Sequence, residues 1–211
     1  MERAGALMYN LSLKNVMFGH FSNTSNITRF SCQPRILPES VAEHSFWVGT
    51  LSFLMALHYE RVFDPAPIAI DWKALAFKSS FHDMEETISG DFPRPFKHST
   101  PELNQAIERA AKIAAERVSC TLSKALSQKI YAFWETAKDT TLEGRIVALA
   151  DYLSVIRWGI REKQMGNSLI ARELHELSNY VDFFNDESFD PIREYVQQAK
   201  ELTEELLNGR S

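Results

Sequence analysis

The sequence predicts an all-α protein that folds as a single helical bundle. Eight glycines and eight prolines are spread over 211 residues, and no run shows the alternating, β-branched pattern of a strand. Apolar residues instead recur every three or four positions, as in helices with one buried face. We find no internal repeat, low-complexity tract or linker. We therefore expect one domain over residues 1–211, with a core at about 27–165 and C-terminal helices at about 168–208 packed on it.

The first of these helices is predicted to begin at a capping box. Ser40 and Glu43 have the spacing at which a serine and a glutamate cap each other's backbone N–H groups. A helix should run from there to about Val62. His44 lies on its apolar face, and the other residues of that face are Val41, Val48, Leu51 and Met55. A histidine in such a place needs a polar partner or a metal.

A second helix is predicted from residue 72 to about 84, because Asp71 can cap its first turn. This range places His82 and Asp83 in its last turn. The stretch 89–98 that follows contains two prolines and a glycine, and we expect it to be irregular.

The remainder of the chain is also predicted to be helical. The expected helices are at about 101–119, 122–136, 142–164, 168–184 and 191–207. Gly166 is a suitable end for the third of these. Asp151 lies on the inward face of the same helix, which also carries Val147, Val155 and Trp158. A carboxylate on an inward face needs a partner.

Composition excludes several classes of protein. The chain is 45% apolar and 24% charged, which is ordinary for a folded domain and unlike a disordered one. A net charge of −5 gives no support for binding a nucleic acid polymer or an anionic membrane. We see neither a membrane-spanning run nor the apolar core of a signal peptide. Cys32 and Cys120 are too few for a disulfide framework, so we expect a cytoplasmic protein.

Four side chains form a candidate metal site. They are two imidazoles, His44 and His82, and two carboxylates, Asp83 and Asp151. All four fall on faces predicted to be buried, where a bound cation would offset the cost of burying them. Histidine and carboxylate ligands suit Co²⁺, Mn²⁺, Zn²⁺, Ni²⁺ or Mg²⁺, so we expect one divalent ion without a fixed identity.

Five ordered strings of the sequence resemble the HD superfamily of metal-dependent phosphohydrolases. Within it, they are most similar to the YfbR-like 5′-deoxynucleotidases and their phage relatives that destroy dATP. The strings are residues 29–30, 39–45, 82–86, 90–97 and 150–151. The resemblance runs from about Ile27 to Trp158, and we match no motif beyond Gln164.

This resemblance implies a role for each matching residue. The metal ligands would be His44, His82, Asp83 and Asp151. Glu86 would be the catalytic acid/base, and Asp91 would help to orient the attacking water. Arg29 would bind the phosphate. Phe30 stands where the family usually has a tryptophan against the deoxyribose, and its smaller ring leaves more room for a 2′-hydroxyl.

The chemistry of phosphate ester hydrolysis fits these residue types. A bound divalent ion lowers the pKa of its water toward ~7, and Arg29 and Lys97 can neutralise phosphate charge. Glu86, one helical turn beyond His82, can protonate the leaving oxygen. The neighbouring Glu85 is expected to be a solvated residue at a helix end.

The substrate is expected to be a small deoxynucleotide. Arg94, Lys97 and His98 form a basic loop, whose simplest interpretation is a solvated surface but which would also suit a long phosphate chain. Our leading hypothesis is a dATP triphosphohydrolase that releases deoxyadenosine and triphosphate. The first alternative is a general 5′-deoxynucleotidase acting on monophosphates, and the second is a non-catalytic nucleotide-binding HD protein. A cyclic-nucleotide or alarmone phosphodiesterase and a purely structural module rank lower.

A homo-oligomer, either a dimer or a hexamer, is also expected. Tyr180, Phe183 and Phe184 in the predicted tail helices offer more apolar surface than one core requires. The expected location is a bacterial cytoplasm, or the host cytoplasm if the chain is encoded by a phage.

Overall fold

A computed structural model describes residues 13–175 and 177–208 of the chain. Within these ranges the protein is helical and contains no strand, which confirms the all-α prediction. The long helices are α2 (Val41–Val62), α3 (Trp72–Phe81), α6 (Pro101–Ser119), α7 (Lys124–Glu135), α8 (Leu142–Gln164) and α11 (Arg193–Asn208). The short helices are α1 (Leu13–Phe18), α4 (Glu86–Ser89), α5 (Arg94–Lys97), α9 (Ile170–Glu173) and α10 (Leu177–Tyr180). Three 3₁₀ turns lie at His20–Ser25, Val181–Asn185 and Glu187–Ile192.

The main core forms around α8, against which α2, α3 and α11 pack. Its fully buried side chains include Tyr59, Leu75, Ile146, Ile156 and Leu206. Burying a large apolar side chain contributes roughly 1.5–3 kcal/mol to folding, so this core fixes the four helices relative to one another. α2 and α8 each carry one candidate metal ligand, and the turn after α3 carries two.

The predicted caps at Ser40 and Asp71 and the predicted turn at Gly166 are confirmed. The Ser40 hydroxyl accepts a hydrogen bond from the Glu43 amide at 3.2 Å, and the Glu43 carboxylate accepts one from the Ser40 amide at 2.7 Å. Asp71 caps α3 by accepting a bond from the Ala74 amide at 2.9 Å. After α8 the chain turns at Gly166, whose φ of +94° is accessible to glycine without a side-chain clash.

Some predicted helical boundaries were wrong. α3 ends at Phe81, so His82 and Asp83 lie in the turn that follows and not in the helix itself. The segment 94–97, expected to be irregular, forms one helical turn, because the first turn of a helix tolerates prolines. The final helix begins at Arg193, after a 3₁₀ turn that contains Pro191.

The expected continuous helix over 168–184 is broken into α9, α10 and a 3₁₀ turn. The breaks allow Leu174, Leu177 and Phe184 to reach the main core. Tertiary packing thus outweighs the helical pattern of the sequence in this segment.

The apolar surface also differs from the prediction. Phe184 is buried and Tyr180 is half-buried, and only Phe183 of the three tail aromatics is largely exposed. An exposed apolar stripe lies instead on α2 and consists of Phe46, Phe53, Leu54 and Leu57. Cys32 and Cys120 are both free and exposed. No helix in the described part of the chain is long and apolar enough to cross a membrane.

Candidate active site

The four predicted metal ligands meet between α2, the turn after α3, and α8. The Nε2 atom of His44 lies 3.2 Å from Nε2 of His82, 3.3 Å from Oδ2 of Asp83 and 3.0 Å from Oδ1 of Asp151. One donor atom from each of the four residues lies within 4.8 Å of the other three. The structure therefore brings together residues that are far apart in the sequence.

The hydrogen bonds around this cluster suit a metal site. Nδ1 of His82 lies 2.9 Å from the carbonyl oxygen of Ser79. Because a carbonyl oxygen can only accept, Nδ1 carries the proton and the Nε2 lone pair is free to bind a cation. Nδ1 of His44 is likewise held by the Ser154 hydroxyl at 3.0 Å. This donor set, two oriented imidazoles and two carboxylates, fits a divalent ion.

Asp83 and Asp151 are held as carboxylates. Burial by itself would raise the pKa of each group, but interactions with the neighbouring imidazoles and the ammonium group of Lys138 outweigh it. His82 and then Lys138 lower the pKa of Asp83 well below its usual range, and Lys138 does the same for Asp151. Lys138 places its Nζ atom 2.6 Å from Oδ2 of Asp151. No sequence pattern indicates this lysine, because it lies in a turn outside the helices.

Glu86 is a buried acid beside the cluster, with only 4% of its surface exposed. Burial raises the pKa of Glu86 well above its usual range, and the negative charges of Asp83 and Asp91 add to this shift. One carboxyl oxygen, Oε1, lies 3.7 Å from Nζ of Lys97. The other, Oε2, has no hydrogen-bond partner among the described residues. The group is therefore disposed to hold a proton.

Glu85 is not the solvated residue that was predicted. Its carboxylate accepts a hydrogen bond of 2.6 Å from Nε1 of Trp134, which lies on α7. Burial, together with the charge of Asp83, raises the pKa of Glu85 to about 7. The pattern of helical residues did not reveal this contact, because it joins two separate elements.

Arg29, the predicted phosphate-binding residue, is 8% exposed and held by Glu39. The Arg29 amide donates to the Glu39 carbonyl oxygen at 2.8 Å, and its guanidinium lies 3.5 Å from the Glu39 carboxylate. Glu39 is in turn bound by the guanidinium of Arg157. Glu39 belongs to one of the strings that match the family, but its spacing in the sequence does not reveal this positioning role.

Phe30 follows Arg29 in a left-handed backbone conformation, with φ of 53°. Its amide donates a 3.0 Å hydrogen bond to Oδ2 of Asp91. Its ring stacks on Trp158, with a centroid separation of 4.0 Å and an interplanar angle of 13°. Phe30 is thus fixed both by its backbone and by its ring.

A cavity of about 250 Å³ joins these groups. The charged residues that line it include Arg29, Glu86, Asp91, Lys97, Lys138 and Asp151. Candidate metal ligands, an acid and several cations therefore line one cavity, an arrangement suited to hydrolysis of a phosphate ester.

The tail of the chain lines the same cavity, although it carries no recognised motif. Leu174, Leu177 and Tyr180 contribute an apolar part of the wall. The guanidinium of Arg94 lies over the Tyr180 ring, 3.5 Å from its centroid. Arg94 is exposed and also lines the cavity, and its role at the substrate stays a prediction.

Comparisons with known proteins agree with the family resemblance found in the sequence. A family model described as 5′-deoxynucleotidase YfbR-like matches residues 16–199. A 5′-deoxynucleotidase of Photorhabdus temperata is 27% identical over 179 residues, which cover 79% of this chain and 89% of that protein. A 5′-deoxynucleotidase of Photorhabdus laumondii is 27% identical over 150 residues, with coverage of 71% and 75%.

Solved structures share the fold. An HD-domain phosphohydrolase from Listeria innocua superposes with a TM-score of 0.64 at 24% identity, covering 91% of this chain and 97% of that one. A protein from Pyrococcus horikoshii gives a TM-score of 0.69 at 17% identity, with coverage of 90% and 99%. At these identities the likeness concerns the fold alone.

Proposed function

The chain belongs to the YfbR-like 5′-deoxynucleotidase family and is a hydrolase of the HD superfamily, and from this premise we propose that it cleaves the 5′-phosphate ester of 2′-deoxynucleotides. One divalent ion would be held by His44, His82, Asp83 and Asp151. The convergence of these four side chains beside the buried acid Glu86 is the observation that carries the proposal.

Each residue of the site has a task in this reaction. When bound, the divalent ion supplies a Lewis acid for a phosphoryl oxygen and lowers the pKa of a water molecule. Arg29 donates hydrogen bonds to the non-bridging oxygens and neutralises their charge. Asp91 accepts a hydrogen bond from the attacking water while its Oδ2 atom holds the Phe30 amide.

Glu86 acts on the leaving group. Water attacks the phosphorus atom and the P–O5′ bond breaks, so the nucleoside leaves as an alkoxide unless it is protonated. The proton held by Glu86 passes to O5′ and gives the nucleoside hydroxyl, while the water proton is lost to Asp91 and solvent. A carboxyl group with a raised pKa is suited to this task because it still carries its proton near neutral pH.

An apolar part of the cavity wall is suited to bind the nucleoside. Leu174, Leu177 and the Tyr180 ring offer an apolar wall for the base, and Phe30 lines the same cavity and follows Arg29 directly in the chain. The aromatic ring of Phe30 is the group that would pack against the deoxyribose.

The number of phosphates separates two candidate functions. The Photorhabdus relatives are named 5′-deoxynucleotidases, which favours deoxynucleoside monophosphates. The second candidate is the dATP triphosphohydrolase. It is favoured by the cations Arg94 and Lys97, which line the cavity beside Arg29 and suit a longer phosphate chain.

The first test is an assay of chelator-stripped protein after addition of single divalent metals. All deoxynucleoside mono- and triphosphates and the matching ribonucleotides are offered, and the products are separated by chromatography. Phosphate from several monophosphates supports the 5′-deoxynucleotidase. Deoxyadenosine with intact triphosphate from dATP, with little use of dAMP, supports the second candidate. No turnover with any metal or substrate, combined with nucleotide binding, would instead indicate a non-catalytic binder.

The protein is proposed to work as a homo-oligomer, a dimer or a hexamer. The exposed stripe Phe46, Phe53, Leu54 and Leu57 on α2 supplies apolar surface suited to a contact between copies. Light scattering coupled to gel filtration tests this directly, and a monomeric mass would refute it. The expected cytoplasmic location stays a prediction.

A further inference from the structure

Lys138 lies beside the two carboxylates that are predicted to bind metal, and it has no assigned role at the substrate. Its Nζ atom is 2.6 Å from Oδ2 of Asp151 and 3.9 Å from Oδ1 of Asp83. The same residue lines the cavity together with Arg29 and Lys97. Its side chain is 37% exposed, so it can be reached by a ligand.

The turn that carries Lys138 is fixed on both sides. Ala137 is buried, and Asp139 is bound by the buried Lys78 at 2.7 Å and by the Thr141 hydroxyl. The start of α8 also presses on this turn. A Cβ atom on Gly144 would lie 2.3 Å from the Asp139 carboxylate and 2.6 Å from its carbonyl oxygen. The backbone at Lys138 is therefore held in place by the packing and hydrogen bonds of its neighbours. Its side chain extends from this fixed turn to the carboxylates.

The ammonium group of Lys138 has N–H donors that its contacts with Asp151 and Asp83 do not use. A lysine carries three N–H donors, and the short contact to Asp151 uses one of them, with Asp83 at a longer distance. The other cations of the cavity are differently placed. Lys97 lies 3.7 Å from Glu86, and Arg94 stacks on Tyr180. Among the described residues, Lys138 is therefore a cation within ion-pair distance of both predicted carboxylate ligands.

We propose that Lys138 binds a phosphate oxygen of the substrate, next to the oxygen that contacts the metal, while it also holds Asp151. This inference rests on the proposed function. A compact charge at this position stabilises negative charge that builds up on the phosphoryl group during attack. It also gives the phosphate chain a contact on the metal side of the site, in addition to Arg29 and Lys97.

The test separates phosphate binding from metal binding. Lys138→Gln and Lys138→Arg are compared with wild type and with Lys112→Gln, a control whose lysine is 57% exposed and paired with Glu135. Melting temperature verifies folding of each variant. Metal content and metal affinity are measured first. Binding of inorganic phosphate and of inorganic triphosphate to the metal-loaded protein is then measured by calorimetry.

We expect K138Q to bind both anions roughly tenfold more weakly or worse at full metal occupancy. K138R should recover most of the affinity, and K112Q should match wild type. If K138Q binds phosphate like wild type once metal is saturating, Lys138 only positions Asp151 and the proposal fails. Because no turnover is needed, this result is distinct from failure of the proposed function, which would appear as inactivity of the wild-type protein.

Discussion

The backbone amide of Phe30 donates a 3.0 Å hydrogen bond to the carboxylate of Asp91. This bond joins the turn that carries Arg29 to the segment that leads into α5, which carries Lys97. The two segments are distant in the sequence. It also holds Phe30 at a positive φ of 53°, which costs a non-glycine residue on the order of 1 kcal/mol or more. The two segments that we propose to bind phosphate are therefore joined directly.

Substitutions of Asp91 should separate its two contacts. In Asp91→Asn the amide oxygen can still accept from Phe30, but the amino group cannot accept a proton from water. We expect kcat to fall about 10²-fold with little change in KM. Asp91→Ala should also raise KM, because the Arg29 turn is released. A D91N variant with wild-type kcat would show that Asp91 only joins the two segments.

Replacement of Glu86 should strongly slow the reaction without loss of the bound metal. For Glu86→Gln we expect a loss in kcat of at least about 10²-fold, with metal content unchanged. Glu85→Gln is the matched control, since its carboxylate faces Trp134, and it should lose only a few-fold. Steady-state kinetics and metal analysis measure both effects. Equal losses in the two variants would contradict the assignment of Glu86 as the acid.

Metal binding should stabilise the fold through the two histidines. A divalent ion at about 100 times its dissociation constant adds about 2.7 kcal/mol to the free energy of unfolding. Addition of metal to the stripped wild type should therefore raise its melting temperature. His82→Asn should abolish this rise, while His175→Asn, an exposed histidine, should preserve it. A shift that persists in H82N would place the metal elsewhere.

The loop before α2 should depend on Glu162 and on pH. Glu162 is fully buried and accepts hydrogen bonds from the amides of Ile36 and Leu37 and from the Asn167 side chain. Burial would raise the pKa of Glu162, but these hydrogen bonds outweigh it and lower that pKa. Its contribution to stability is therefore complete above the unfolded pKa of about 4.3 and is lost as pH falls through the lower folded value.

Glu162→Gln tests this contribution. We expect a loss of about 1–3 kcal/mol in the free energy of unfolding at pH 7, and a smaller difference from wild type below about pH 4. Urea unfolding at the two pH values measures both. Glu201→Gln on the exposed side of α11 serves as control. A difference that does not shrink in acid would mean that the lost interaction is not that of the ionised carboxylate.

Phe30 should set the discrimination between deoxy- and ribonucleotides. Phe30→Trp restores the larger ring that the family usually has, so we expect the deoxy-to-ribo ratio of kcat/KM to rise by roughly tenfold. Competition assays with dAMP and AMP measure the ratio. Phe96→Trp, at an exposed position of α5, serves as the control. An unchanged ratio in F30W would place the sugar away from this ring.

Periodicity in the sequence was sufficient to place two of the four candidate metal ligands on inward faces of their helices. His44 and Asp151 were found because each interrupts an apolar stripe, and a stripe can be followed along one helix. Caps at Ser40 and Asp71 were predicted for the same reason, since a cap depends on neighbours within a few residues.

Contacts between separate elements could not be found in this way. Lys138 acts from a turn, and the positioning of Arg29 by Glu39 also depends on Arg157 in α8. The tail was predicted as one helix, because its pattern does not show that Leu174 and Tyr180 must turn toward a distant cavity. Such features depend on the folded arrangement and not on local spacing.

The division of the cavity between two parts of the chain has an evolutionary consequence. The candidate metal ligands and the buried acid Glu86 come from α2, α8 and the segment after α3, whereas Leu174, Leu177 and Tyr180 of the cavity wall come from the tail. Under the proposed function, changes in the tail would therefore alter which nucleoside is accepted while the hydrolytic groups remain intact. Divergence of substrate preference among relatives should accumulate in this segment, and exchange of tails between relatives offers a route to new specificities.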